Sequence, residues 1–182
     1  MVNKQTIILI LFLLSFGTDY AQDNKGLDCW NFGYGKTGTP GDFLHIGLEL
    51  SQSVKAAYYV QTGYEFSHHS GLQYSSLSLA LGYRYYLYGS SELASKNKLN
   101  VVACIGGTGQ LEWEPNIYKD LSLSGRSNYG FFGQLLGEYY FDKTLGFFVC
   151  GEQKYLLNKT LGKTNYNIFF GLRIHFGGER LP

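Results

Sequence analysis

Charge is scarce in this chain. Only 16% of its 182 residues are Asp, Glu, Lys or Arg, below the ~25% of an ordinary soluble domain. Lys and Arg total 15 against 14 Asp and Glu, a formal net charge of +1. That balance leaves no basic stripe for nucleic acid, so no direct nucleic-acid binding is expected. Proline is limited to 3 residues, and the one Met is the initiator. Cysteine occurs three times, at Cys29, Cys104 and Cys150, and an odd number cannot complete a disulfide framework. The three read as small packing residues, with a single bridge as the alternative. No helical apolar period follows the N-terminal stretch, which excludes a helical enzyme.

What is abundant is aromatic side chain and glycine: 16 Tyr, 13 Phe and 24 Gly. Tyr and Phe favour strands, so the composition is that of a sheet protein with much apolar surface. The N-terminus has the form of an export leader. Lys4 supplies a positive start, Ile7 to Leu14 is a compact apolar run, and Tyr20-Ala21-Gln22 offers a cleavage point after Ala21. The run is too short to span a bilayer as a helix, which needs about 20 apolar residues. Ser15-Phe16-Gly17 is an alternative cleavage site. We therefore expect a signal peptide over 1–21 and one domain over 22–182.

Beyond the leader the recurring period is two, in segments separated by turn signals. Trp30, Phe32 and Tyr34 alternate with Asn31, Gly33 and Gly35. Leu44, Ile46, Leu48 and Leu50 oppose His45, Gly47 and Glu49. Tyr58, Val60, Thr62, Tyr64 and Phe66 oppose Gln61, Gly63 and Glu65. The fourth segment is the most regular, with Leu77, Leu79, Leu81, Tyr83, Tyr85 and Leu87 against Ser76, Ser78, Ala80, Gly82, Arg84 and Tyr86. Four more follow, around Leu99–Ile105, Tyr129–Phe141, Leu145–Lys154 and Asn167–Phe176; the stretch from Gly107 to Trp113 is less regular. An even number of strands is the rule for bacterial outer-membrane barrels.

The same alternation would suit a soluble barrel with its apolar face inside. Volume decides between the two. The bore of an eight-stranded barrel is only just wide enough for side chains to fill, and it cannot hold all of these bulky faces. The sequence thus predicts an all-β, antiparallel up-and-down transmembrane β-barrel of about eight strands in the bacterial outer membrane. Bulky residues face lipid; Gly, Ser, Ala, Asn and a few charges fill the inside. Trp30, Tyr34, Phe66, Tyr83, Tyr85, Trp113, Tyr139 and Phe176 gather near segment ends, where interface girdles belong.

Chemistry-bearing motifs are few. Gly33-Tyr34-Gly35-Lys36-Thr37-Gly38 imitates a nucleotide-binding loop, but Trp30 stands where a P-loop has its first Gly, and Pro40 follows instead of a helix. His68-His69 lacks neighbours at metal-ligand spacing. His68 with Ser67 or Ser70 could imitate a lipid-modifying site at the rim, without a third group to orient a base. No catalytic, metal or cofactor residues are therefore assigned. The inward set carries the more informative group: Glu49, Glu65, Glu138 and Glu152 against Arg84, Lys154 and Arg173, with His45 and His175 available to hydrogen-bond. Ions in a narrow bore should pair, so these seven are expected to form a structural plug of salt bridges; a charge-lined pore is the alternative.

Three blocks carry a family resemblance: Tyr20-Ala21-Gln22 with Lys25-Gly26-Leu27, then Ala80-Leu81-Gly82-Tyr83-Arg84-Tyr85-Tyr86-Leu87-Tyr88-Gly89, and finally Phe170-Gly171-Leu172-Arg173-Ile174-His175-Phe176. From about Lys25 to Gly177 the chain resembles the TraO family of conjugative-transposon proteins. The resemblance implies a non-enzymatic barrel in the apparatus that moves DNA between cells. Its expected partners are outer-membrane lipid and other proteins of that apparatus, contacted through loops such as Glu114–Arg126. A general envelope or adhesion barrel and a rim-active lipid-modifying enzyme are the competing expectations.

Overall fold

The computed structural model describes residues 28–38, 41–53, 55–69, 72–89, 98–113, 126–142, 144–157 and 164–176. The expected leader, the loop at 114–125 and the side chains of His68 and His69 lie outside the described residues. Eight strands account for nearly all the rest: β1 (Asp28–Thr37), β2 (Gly41–Ser53), β3 (Ala56–His69), β4 (Leu72–Tyr88), β5 (Leu99–Trp113), β6 (Arg126–Tyr140), β7 (Leu145–Leu156) and β8 (Thr164–Phe176). Each pairs antiparallel with its sequence neighbour, and β8 returns to β1, so the sheet closes on itself. No strand edge is left open, which is what a sheet in hydrocarbon requires. The period-two segments fall within these strands, except that Phe141 lies one residue past the end of β6. β5 extends through the less regular Gly107–Trp113 stretch because its inward positions Thr108, Gln110 and Glu112 keep the alternation.

The register sets the tilt. From Cys29, paired residues run through Glu49, Tyr59, Gly82, Gly106, Phe132 and Lys154 to Asn165. That lap starts near the N-terminal end of the barrel and finishes at the opposite end, so the strands lean steeply. Strand tilt and stagger fix the bore of a barrel.

Outside, large apolar residues are exposed all round the wall, among them Leu81, Ile105, Phe131, Leu135 and Ile168, with Ile105 71% exposed. Tyr34, Tyr83, Tyr85 and Tyr139 of the expected girdles are exposed as well. Apolar surface on this scale needs hydrocarbon to cover it.

The inside differs from the expectation in one respect. Small and polar residues are there together with the expected Tyr86, but so are Phe43, Tyr59, Phe132, Leu136, Tyr140, Phe148, Leu156 and Phe169, all buried. Inward-facing glycines make the room. A Cβ on Gly63 would stand 2.7 Å from Phe43 Cζ, one on Gly82 2.7 Å from Phe132 Cζ, and one on Gly47 2.7 Å from Tyr59 Cζ. Each ring occupies space that a neighbouring side chain has vacated. Bulky residues thus cover the outside, while the bore accepts more rings than its width alone leads one to expect.

Candidate functional site: the filled lumen

Two ionic storeys occupy the bore. The first lies toward the end where β1 begins and β8 finishes. There Arg84 Nη1 donates to Glu49 Oε2 at 2.6 Å. Arg173 reaches the same carboxylate through Nη2 (2.9 Å, to Oε1) and Nη1 (3.1 Å, to Oε2). Arg173 Nη1 also lies 2.8 Å from Glu138 Oε1, while Arg84 Nη1 stands 3.8 Å from that oxygen. Two acids and two bases therefore cancel. Tyr86 donates its hydroxyl to Glu49 and Tyr140 donates to Glu138, the latter at 3.0 Å. Asn31 and His175 accept from Arg173. The Arg84 guanidinium lies over the Tyr59 ring, 3.5 Å from its centroid, a cation–π contact between two buried groups.

The second storey centres on Glu152. Its Oε2 accepts from Gln61 Nε2 (2.6 Å) and Gln134 Nε2 (2.7 Å), and its Oε1 from Asn167 Nδ2 (2.8 Å). Lys154 Nζ completes the set at 3.2 Å and also reaches Ser78 Oγ at 3.2 Å. Rings pack around the two storeys: Phe169 meets Phe43 edge-on at 5.2 Å and His45 at 4.6 Å between centroids. His45 is tied to the Tyr59 hydroxyl at 2.8 Å.

The structure therefore places all seven residues of the expected network inside. Glu49, Arg84, Glu138 and Arg173 come together as one quartet, whereas Glu152 and Lys154 form a separate pair. Glu65, toward the far end of β3, is buried and accepts from Asn165 Nδ2 at 3.2 Å. The two storeys, rather than one continuous plug, arise because amides and rings intervene between the charges.

The partners that sequence reasoning left out are Tyr86 and Tyr140 as hydroxyl donors and the amides around Glu152. The signal was present in six aromatic doublets: Tyr58-Tyr59, Tyr85-Tyr86, Phe131-Phe132, Tyr139-Tyr140, Phe147-Phe148 and Phe169-Phe170. Alternation sends one ring of each doublet outward and the other into the bore. The cysteines are free and buried, and each occupies a lumen-facing position, so the single-bridge alternative is not realised. Among the described residues no group of three or more His, Cys, Asp or Glu is placed to hold a metal ion.

Chemically, the described part of the lumen binds strand to strand. Arg173 on β8, Glu49 on β2, Arg84 on β4 and Glu138 on β6 sit on four alternate strands, so their charge-assisted bonds cross the bore rather than run along the wall. Buried hydrogen-bonded ion pairs such as these are costly to break one partner at a time. The closed wall, apolar exterior and filled interior together define an eight-stranded barrel protein of the outer membrane.

Similarity to solved structures agrees with that class. The N-terminal β-barrel domain of OprF from Pseudomonas aeruginosa superposes with a TM-score of 0.63 at 14% identity, covering 83% of this chain and 98% of that one. Neisserial surface protein A gives 0.62 at 10% identity, covering 82% and 96%. The outer-membrane enzyme PagL gives 0.52 at 15% identity, covering 80% and 98%. No protein-family model matches the chain, and no curated protein sequence does.

Proposed function

We propose that this barrel is a non-enzymatic outer-membrane component of a conjugative DNA-transfer apparatus, anchoring or organising other proteins of that apparatus through its loops. The observation that carries the anchoring role is the bore itself, closed by the Glu49–Arg84–Glu138–Arg173 quartet and the rings above it. A lumen held shut by side chains from four strands suits a rigid scaffold. The link to transfer rests on the resemblance carried by the blocks at 20–27, 80–89 and 170–176 to the TraO family. Deleting the gene from a donor strain and counting transconjugants tests it. Transfer should fall at least tenfold and recover when the intact gene is supplied. Unchanged transfer favours a general envelope or adhesion barrel.

One observation favours a second reading. PagL, of the same fold, is an outer-membrane enzyme. Refolded protein should show no lipid A or phospholipid turnover; turnover that disappears in His68→Ala would establish the enzymatic reading instead.

A further inference from the structure

Three side-chain amides surround Glu152, and each turns its nitrogen toward the carboxylate. Their orientation is fixed by that charge. Rotating the Asn167 amide would bring its oxygen against Glu152 Oε1, and rotating Gln134 would set its oxygen against both Glu152 Oε2 and Gln61 Oε1, which its nitrogen now bridges at 2.7 and 2.6 Å. Carbonyl oxygens facing carboxylate and amide oxygens repel, so neither flip is available.

The cost of this arrangement falls on the other side of each amide. Gln134 Oε1 and Asn167 Oδ1 have no protein donor, although Gln134 is 6% exposed and Asn167 not exposed at all. Gln61 avoids the problem because Gln134 donates to its oxygen. Buried acceptors are rarely left without a donor; where protein supplies none, ordered water does, and such waters bind at polar sites in folded proteins. A cation is the poorer occupant, since Lys154 Nζ already sits 3.2 Å from Glu152 Oε1 and would repel a second positive charge.

We propose that the Glu152 storey is a water-binding site inside the lumen, where Gln134 Oε1 and Asn167 Oδ1 accept hydrogen bonds from ordered water molecules. The site is independent of any role in transfer. It makes the interior of the barrel a hydrated structure at the depth of Glu152.

Gln153 supplies an internal control. It is the residue between Glu152 and Lys154, its side chain projects from the outer wall, and its Nε2 donates to the carbonyl of Asn165 at 3.1 Å. Water-to-amide magnetisation transfer on the refolded, nitrogen-labelled barrel in detergent micelles reads all three side-chain amides in one spectrum. Cross-peaks with slowly exchanging water are expected at Gln134 and Asn167, at least threefold stronger than at Gln153. No water cross-peak at either Gln134 or Asn167 overturns the proposal. Equal intensity at all three amides overturns it as well, because the signal would then report general solvent access.

Discussion

Arg173 on β8 grips Glu49 on β2 with both terminal nitrogens, at 2.9 and 3.1 Å, across the bore and past β1, which lies between their strands. The fork is bidentate, the geometry in which a guanidinium binds a carboxylate best. Replacing Arg173 by Met leaves Glu49 and Glu138 sharing only Arg84. The loss should be about 3–5 kcal/mol, the usual result of orphaning a buried charge. Adding Glu49→Gln returns the storey to one acid and one base, so the double variant should regain part of that loss. Urea unfolding of the barrel in lipid vesicles measures both; a double variant weaker than the sum of the single ones would contradict the quartet.

Glycine position determines tolerance to a methyl group. Gly47 lies beneath the Tyr59 ring, whereas a Cβ on the outward-facing Gly109 would meet nothing within 4 Å. Gly47→Ala should destabilise by about 1–3 kcal/mol through overpacking. Gly109→Ala should leave the heat-modifiable band on a gel, and the unfolding midpoint, unchanged.

Depth in the hydrocarbon can be read from arginine substitutions on the outer wall. Leu135, exposed near the middle of β6, and Leu99, exposed at the first residue of β5, face outward alike. Leu135→Arg should cost about 2–4 kcal/mol and Leu99→Arg about 0–1 kcal/mol, following the depth dependence of charge on a lipid face. Equal costs at the two positions would argue against a membrane band centred between the ends.

A pH effect is expected at the β6–β7 turn. Asp142 accepts from the backbone N–H of Thr144 (2.7 Å) and Leu145 (2.8 Å), and these bonds hold its carboxyl below the ordinary carboxylate value. A depressed folded value means the contribution is present above the unfolded value, near pH ~4, and is lost as pH falls through the folded one. Wild type should therefore exceed Asp142→Ala in stability at neutral pH, and the gap should close as the pH drops below ~4. Paired unfolding curves at pH 7 and 3 test the sign.

Much of the fold was legible in the sequence, because a period of two is a direct record of which side chains share a face. The alternation through Leu77–Leu87 places Arg84 inside and Tyr83 and Tyr85 outside, as the structure does. The inward charges were visible for the same reason. Partner choice was not, since strand register and tilt decide whether Arg173 meets Glu49 or Glu152, and neither is encoded in a single strand. Of the interior rings only Tyr86 stands on an inward face in the sequence reading, because a doublet such as Phe147-Phe148 reads as one apolar feature. Alternation turns one member inward, and glycines on neighbouring strands leave the room that its ring needs.

The seam between β1 and β8 has a consequence for assembly. The first strand of the barrel finds its outer partner only in the last, along pairs from Asp28 with Phe176 to Thr37 with Asn167. Until that final segment arrives, the growing sheet has two raw borders and an apolar outer surface with no lipid around it. Biogenesis must therefore shelter an unfinished sheet and release it only when its two ends meet.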